Sequence, residues 1–247
     1  MSALGNYHSL EPFRDLFKTG IPILAYHKVD RRPSGVRLKG LYVSPKRFTT
    51  QMDELHDAGF FSVGLHELAC GGDGRNLVAI SFDDGCRNVL RNAVEPLRRN
   101  GFRAIQFIVA DLIGGLNEWD IRDGEVPEPL MTESEIREWL AAGHEIGSHS
   151  LRHLRLTRLS VRDAREEIST SKKKLEDMFG IPINHFCYPY GDWNEGIRNL
   201  VTEAGYVTAS TLNHGVNTAA TDPYSIHRIM VRHPTRSLKA LKERFFS

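Results

Sequence analysis

Short unbroken apolar runs alternate along the chain with stretches of helical spacing. IPILAY at 21–26 ends on His27, and LVAISF at 77–82 runs into Asp83, Asp84 and Gly85. AIQFIVA at 104–110, HEIGSH at 144–149, INHFCYPYG at 183–191, YVTAS at 206–210 and YSIHRIMV at 224–231 have the same character. Runs of this length without alternation predict strands of a parallel sheet buried on both faces. FFSVG at 60–64 predicts one further strand, followed by a short helix and a Gly-rich turn at 71–74.

Between these runs the period lengthens. Ser44-Pro45 opens a helix carrying Phe48, Met52 and Leu55 and stopped by Gly59. Residues 86–99 place Val89, Leu90, Ala93, Val94 and Leu97 on one face, with Gly101 as the stop. Thr132 and Glu135 spell a capping box for a helix ending at Gly143. A long charged helix covers 160–179 and stops at Gly180, and Asp192 is expected to cap another that runs to Ala204. A last helix is expected from about Thr235. Residues 28–42 predict a mobile loop, and residues 111–130 a long polar loop containing Trp119.

Strand followed by helix, repeated about seven times without a composition break, predicts one α/β domain, and a barrel over an open sheet. Residues 1–20 are expected to be an amino-terminal extension of that domain. Sites in such barrels lie at the carboxyl ends of the strands. His27, Asp83, Asp84, His149 and the Tyr188–Tyr190 segment all fall at predicted ends of this kind.

Charge and composition exclude more than they specify. Lys and Arg number 32 against 31 Asp and Glu, so nothing steers the chain towards nucleic acid or an anionic membrane. No apolar run reaches the 18 residues that would span a bilayer. The first twenty residues lack a basic segment followed by an apolar one, and Cys70, Cys86 and Cys187 fit neither a disulfide framework nor a Cys-x-x-Cys zinc site. Together these features lead to the expectation of a reducing, cytoplasmic location.

Asp-Gly is a common turn former, so Asp83-Asp84-Gly85 alone is first of all a turn. His149 and His153 lie four apart; on a helical turn from Ser150 their imidazoles would face one side, either as a packed or solvated pair or as a grip on one cation. With one Asp carboxylate they would make a set suited to zinc, or to cobalt, nickel, manganese or iron.

Three segments together are more specific. SFDDG at 81–85, HSLRH at 149–153 and YPYG at 188–191 resemble, in order and spacing, the three motifs of the polysaccharide deacetylase family, the NodB-type carbohydrate esterases of family 4. The likeness extends over roughly residues 21–235. It implies a distorted (β/α)7 barrel and metal-dependent removal of an N-acyl group, usually acetyl, from an amino sugar. Carried over, Asp84, His149 and His153 hold the metal, Asp83 is the general base, and the backbone N–H of Tyr190 faces the acyl oxygen beside Pro189. Trp119 and Trp193 could stack on sugar rings or simply pack. The implied partner is an N-acetylated carbohydrate; deformylases and cyclic-amide hydrolases of the same fold, or a carbohydrate-binding degenerate relative, are the competing readings.

Two positions depart from the family pattern. The third motif usually carries an arginine that orients the catalytic aspartate, and here that position is Cys187. Arg228 is the expected substitute, against the plain reading of an exposed ion-pairing arginine. The family's late histidine, which protonates the leaving amine, has no clean copy, although His227 is a candidate and His214 and His233 are near it. His27 in LAYH is preferred, because a Tyr-His pair at the first strand's tip resembles the branch that contains poly-N-acetylglucosamine deacetylases. Cys86 invites a nucleophile reading, but no histidine is local to it.

Overall fold

In the computed structural model, which describes residues 5–70, 76–122 and 124–232, the apolar runs become the strands of one curled parallel sheet. They are β1 (Ile21–Tyr26), β2 (Leu77–Phe82), β3 (Ile105–Ile108), β4 (Glu145–Ser148), β5 (His185–Cys187), β6 (Thr208–Ser210) and β7 (Ile229–Met230). Their spatial order follows the chain from β1 to β6, in the registers Leu24↔Ile80, Phe82↔Gln106, Ile108↔Ser148, Ser148↔Phe186 and Phe186↔Ala209. Helices α1 (Pro45–Asp57), α2 (Arg87–Arg99), α3 (Glu133–Ala141), α4 (Val161–Phe179) and α5 (Glu195–Glu203) occupy the successive crossovers.

The sheet is drawn round by the last described segment. Ile226 bridges to Ser210 of β6, and three residues later β7 pairs with Leu24 and Ala25 of β1. One continuous strand was expected over 224–231. The segment is instead a seam that changes partner in the middle, which leaves Arg228 between its two pairings.

Strand periodicity sorts the buried residues into two layers. Ile21, Ile23, Leu77, Ala79, Ile105, Phe107, Cys187 and Ile226 form an inner cluster inside the curl. Leu24, Tyr26, Val78, Ile80, Phe82, Ile108 and Phe186 face outward, onto Phe48 and Met52 of α1, Val89 and Leu97 of α2, and Ile168 and Leu175 of α4. The outer layer also takes in Tyr7, Leu10, Phe13 and Phe17, and Tyr7 bridges to Val231. The described part of the amino-terminal extension is therefore core material.

The capping predictions hold at Ser44 for α1 and at Thr132–Glu135 for α3, and Gly180 closes α4 in the left-handed conformation. At α5 the prediction fails. Asn194 caps it by accepting from the Ile197 N–H, while Asp192 is taken by the N–H and hydroxyl of Thr157. The 28–42 loop is pinned at both ends, Lys28–Val29 pairing with Tyr42–Val43, and the Glu125 carboxylate accepts from the Arg37 and Leu38 N–H groups. Within 111–130 a short helix, Glu118–Arg122, interrupts the predicted loop. The Gly-rich turn at 71–74, His233 and the helix expected from Thr235 lie outside the described residues. Among those described, no helix is long and apolar enough to cross a membrane.

His144, just before β4, is buried against the Trp139 ring at 4.2 Å, and neither ring nitrogen has a hydrogen-bond partner among the described residues. Burial pulls its pKa down to about 4. The unfolded chain then binds a proton that the folded one refuses between pH 6.5 and 4, so this histidine's contribution is intact above 6.5 and is lost as the pH falls through that window. His144→Phe should flatten the pH dependence of unfolding free energy by about 2 kcal/mol between pH 7 and pH 5. Urea denaturation of both proteins across that range checks this; an unchanged slope would refute it.

Candidate active site

The carboxyl ends of the strands surround a cleft of about 280 Å³. His27 follows β1, Asp83 and Asp84 follow β2, His149 follows β4, and Tyr188, Tyr190 and Gly191 follow β5; all line the cleft.

The two aspartates diverge because the backbone turns between them. Asp83 still belongs to the sheet, its N–H donating to the Tyr26 carbonyl at 3.0 Å, and it continues the inward series Leu77, Ala79, Ser81. Asp84 and Gly85 are both left-handed, with φ of 76° and 77°. Asp tolerates that region better than most residues, and Gly adopts it freely.

Arg228 reaches Asp83 from the seam. Its Nη1 donates to Oδ1 at 2.7 Å and its Nη2 to Oδ2 at 2.9 Å, a two-pronged ion pair in which both residues are buried. Nε donates to the Thr211 carbonyl at 2.8 Å, and Nη2 lies 3.2 Å from the Cys187 sulfur. Burial alone would push the Asp83 carboxyl up, but the Arg228 charge and its hydrogen bonds outweigh this and hold it well below the usual carboxylate range.

Asp84 faces the other way. Its Oδ1 lies 3.6 Å from His149 Nε2 and 3.5 Å from His153 Nε2. Two donors on a tetrahedral zinc, each bonded at 2.0–2.1 Å, stand about 3.4 Å apart, so the spacing fits one ion. His149 Nδ1 is 2.8 Å from the Cys187 carbonyl, where an N–H on that nitrogen leaves Nε2 a lone pair directed at Asp84. Burial and the neighbouring Asp83 charge push the Asp84 carboxyl up to about 8, against the opposing pull of Lys28 and Arg228. The residues present therefore fit a divalent cation.

The loop carrying His153 is not helical, so the condition of a helical turn from Ser150 is not met. Ser150 and His153 have φ of 65° and 58°, and the His153 N–H donates to the Ser150 hydroxyl. The buried Glu167 of α4 holds this turn, accepting from the N–H groups of Leu151 and Arg152 and from the Arg152 side chain. The imidazoles still converge, with ring centroids 4.8 Å apart. A carboxylate on the apolar stripe of α4, between Ala164 and Ile168, was the available signal for Glu167.

His27 lines the cleft with Nε2 3.8 Å from Asp83 Oδ2. Burial draws its pKa down to about 4, against the opposing pull of Asp83. His227 is not among the lining residues; its backbone N–H donates to the Asn217 side chain and its ring lies beside Gly215. Trp119 walls the cleft, its ring 4.1 Å from that of His153, whereas Trp193 stacks on Tyr188 and packs against the core. Tyr190 is left-handed, with φ of 61°, and lies between the His153 ring and the Arg155 guanidinium. Pro189 is buried at the start of that turn and does not line the cleft. Asp120, which the sequence reading missed, does line it and pairs with the buried Lys28 at 2.6 Å. The Cys86 thiol is fully buried and its pKa is raised by burial and by Asp84, which disqualifies it as a nucleophile.

The curled parallel sheet thus carries at its carboxyl edge an Asp–His–His cluster that could hold a metal ion. Residues 71–209 match the family described as Polysaccharide deacetylase, and the chain belongs to that family. Its reaction class is accordingly N-deacetylation, the hydrolysis of a carbon–nitrogen bond other than a peptide bond. YxkH of Bacillus subtilis (strain 168) is 28% identical over 216 residues, which are 85% of this chain and 71% of YxkH. A polysaccharide deacetylase from Bacillus cereus superposes with a TM-score of 0.74 at 25% identity, covering 87% of this chain and 66% of that one. The Streptococcus pyogenes deacetylase PplD, solved with acetate, shares the fold at a TM-score of 0.75 and 21% identity, covering 91% and 97% of the two chains.

Removing one partner of a buried ion pair strands the other. Arg228→Met should cost about 3–5 kcal/mol of stability, and adding Asp83→Asn should recover much of that loss. Urea unfolding of the single and double variants measures the coupling; additive losses would contradict it.

Proposed function

We propose that this protein is a zinc-dependent deacetylase of an N-acetylated amino sugar, with the metal held by Asp84, His149 and His153. The observation that carries the reading is the division of labour between the adjacent aspartates. Both Asp83 oxygens are engaged by Arg228, while Asp84 alone faces the two imidazole Nε2 atoms. When bound, the ion would lower the pKa of a water towards ~7 and polarise the acyl carbonyl.

The chain's own residues supply the rest. Asp83, kept ionised by Arg228 and fixed in orientation by its two prongs, takes the proton of the attacking water. His27 hands a proton to the departing amine. With a pKa near 4 its imidazole is neutral at the outset, so it receives that proton during the reaction, from Asp83 at 3.8 Å. Arg228 in this scheme does the work of the arginine that Cys187 replaces. The backbone N–H of Tyr190 meets the acyl oxygen, and Trp119 and Tyr190 give the sugar a flat apolar wall while excluding water. The cleft volume suits about one sugar ring with its acyl group at the reacting position.

The test is acetate release from N-acetylglucosamine oligomers. A strong chelator should abolish it, and added Zn²⁺ or Co²⁺ should restore it. Release that survives exhaustive chelation would exclude the metal reading. His27→Ala should lower kcat by about 10²–10⁴-fold with metal content unchanged, and His227→Ala should leave kcat near that of the parent. The reverse pattern would move the acid to His227.

A further inference from the structure

A second convergence of ligand-type side chains lies at the other end of the strands. His66 follows the short strand Phe61–Ser62, Glu145 is the first residue of β4, and His185 is the first of β5. One donor atom from each lies within 4.8 Å of the others, and Glu145 Oε2 is 3.8 Å from His185 Nε2. The four residue steps from Glu145 to His149 separate this cluster from the cleft by about 13 Å of strand.

Three features make it a built arrangement. His185 is buried, and its Nδ1 is 2.8 Å from the hydroxyl of Thr208, its partner on β6, which leaves Nε2 directed at Glu145. The Glu145 backbone is fixed on both sides, its N–H donating to the Ala104 carbonyl and its own carbonyl accepting from the Trp139 indole at 2.8 Å. Gly64 brings the third segment in close. A β-carbon there would sit 2.8 Å from Glu145 Oε1 and 2.9 Å from His66 Nδ1, so the absent side chain leaves room for both donors.

The surrounding charges leave the centre open. Glu67, 3.6 Å from His66, is committed to the Gly64 N–H and to Arg103. Lys172, the cation whose field reaches His185, is held by Glu176 at 2.9 Å and by the Ile183 carbonyl. Arg103 and Lys172 are thus each paired with an acid other than Glu145. Two imidazoles and one carboxylate, with the exposed His66 leaving a position to solvent, suit zinc or another borderline divalent ion and not calcium or magnesium.

We propose that His66, Glu145 and His185 bind a second divalent transition-metal ion, which clasps the Leu65–Cys70 segment to the amino-terminal ends of β4 and β5. Leu65 and Leu68 of that segment belong to the inner cluster, so the ion would secure the plug that closes this end of the curl. Bringing the donors from 3.8–4.8 Å to about 3.4 Å requires only side-chain rotation of the exposed His66 and half-exposed Glu145.

The test is metal stoichiometry on untagged, chelator-stripped full-length protein re-equilibrated with Zn²⁺, or with Co²⁺ read by its visible absorption. The parent should bind two equivalents, the cleft variant Asp84→Ala/His153→Ala one, and His66→Ala one. Combining the three substitutions should leave none. Zn²⁺ should raise the Tm of the cleft variant by several degrees, and this rise should vanish when His66→Ala is added. His66→Ala alone, an exposed change, keeps the test valid if the cleft variant folds poorly. A single equivalent in the parent that persists in His66→Ala, or two retained in His66→Ala, would overturn the proposal. Loss of the cleft metal alone would count against the deacetylase chemistry and not against this site.

Discussion

The buried ion pair between Asp83 and Arg228 is the constraint around which the cleft is arranged. A carboxylate this deep is tolerated only beside a fixed positive charge with its lone pairs occupied. Arg228 meets both conditions, and it can do so only from the seam, where the chain has left β6 and not yet joined β1. A small side chain at Cys187 then follows. Its sulfur is 3.2 Å from Arg228 Nη2 and 3.7 Å from Asp83 Oδ1, so a second long cation from that strand would collide with the first. In this chain the guanidinium beside Asp83 comes from position 228, and position 187 is filled by a thiol.

What could be read from sequence divides along the range of the interactions. β1 and β2 were legible because burial on both faces writes an unbroken apolar run, and Asp83, Asp84, His149 and His153 because each motif is local. The Asp83 contact of Arg228 spans 145 positions and leaves no local pattern. Only the cysteine at 187, where the resembling family carries an arginine, points to a cation from elsewhere in the chain. The same holds for Glu167, fifteen positions from the Arg152 backbone that it holds, and for Lys28 and Asp120, 92 apart. The backbone at 150–153 is not a helical turn, since Ser150 and His153 are both left-handed, and Glu167 accepts from the Leu151 and Arg152 N–H groups in the turn that forms instead.

The two ends of the strands are put to different uses by one rule of alternation. On β4, Glu145 and Ser148 bracket a run too short to bend, so what begins at one mouth is delivered rigidly to the other. Gly147 shows how tight the inside is, since a β-carbon there would meet the Phe107 ring and the His185 carbonyl at 2.7 Å. His149 is carried on that rigid piece, with its N–H still donating to the Ile108 carbonyl of β3 at 2.8 Å. Its imidazole is therefore positioned by the sheet, whereas that of His153 is positioned by a loop that Glu167 holds.

Alternation also explains why the paired aspartates need the backbone they have. Continued as a strand, Asp84 would follow Val78, Ile80 and Phe82 into the outer layer and face the helices. The left-handed turn at Asp84 swings its carboxylate back over the mouth towards the two imidazoles, at a cost of about 1 kcal/mol or more for a non-glycine residue. Gly85 must turn the same way immediately afterwards, and a β-carbon there would lie 3.4 Å from the Ile108 side chain. Asp-Asp-Gly is thus more than a turn with two acids on it. The first acid is aimed by the strand and the second by departing from it, and the glycine makes that departure possible.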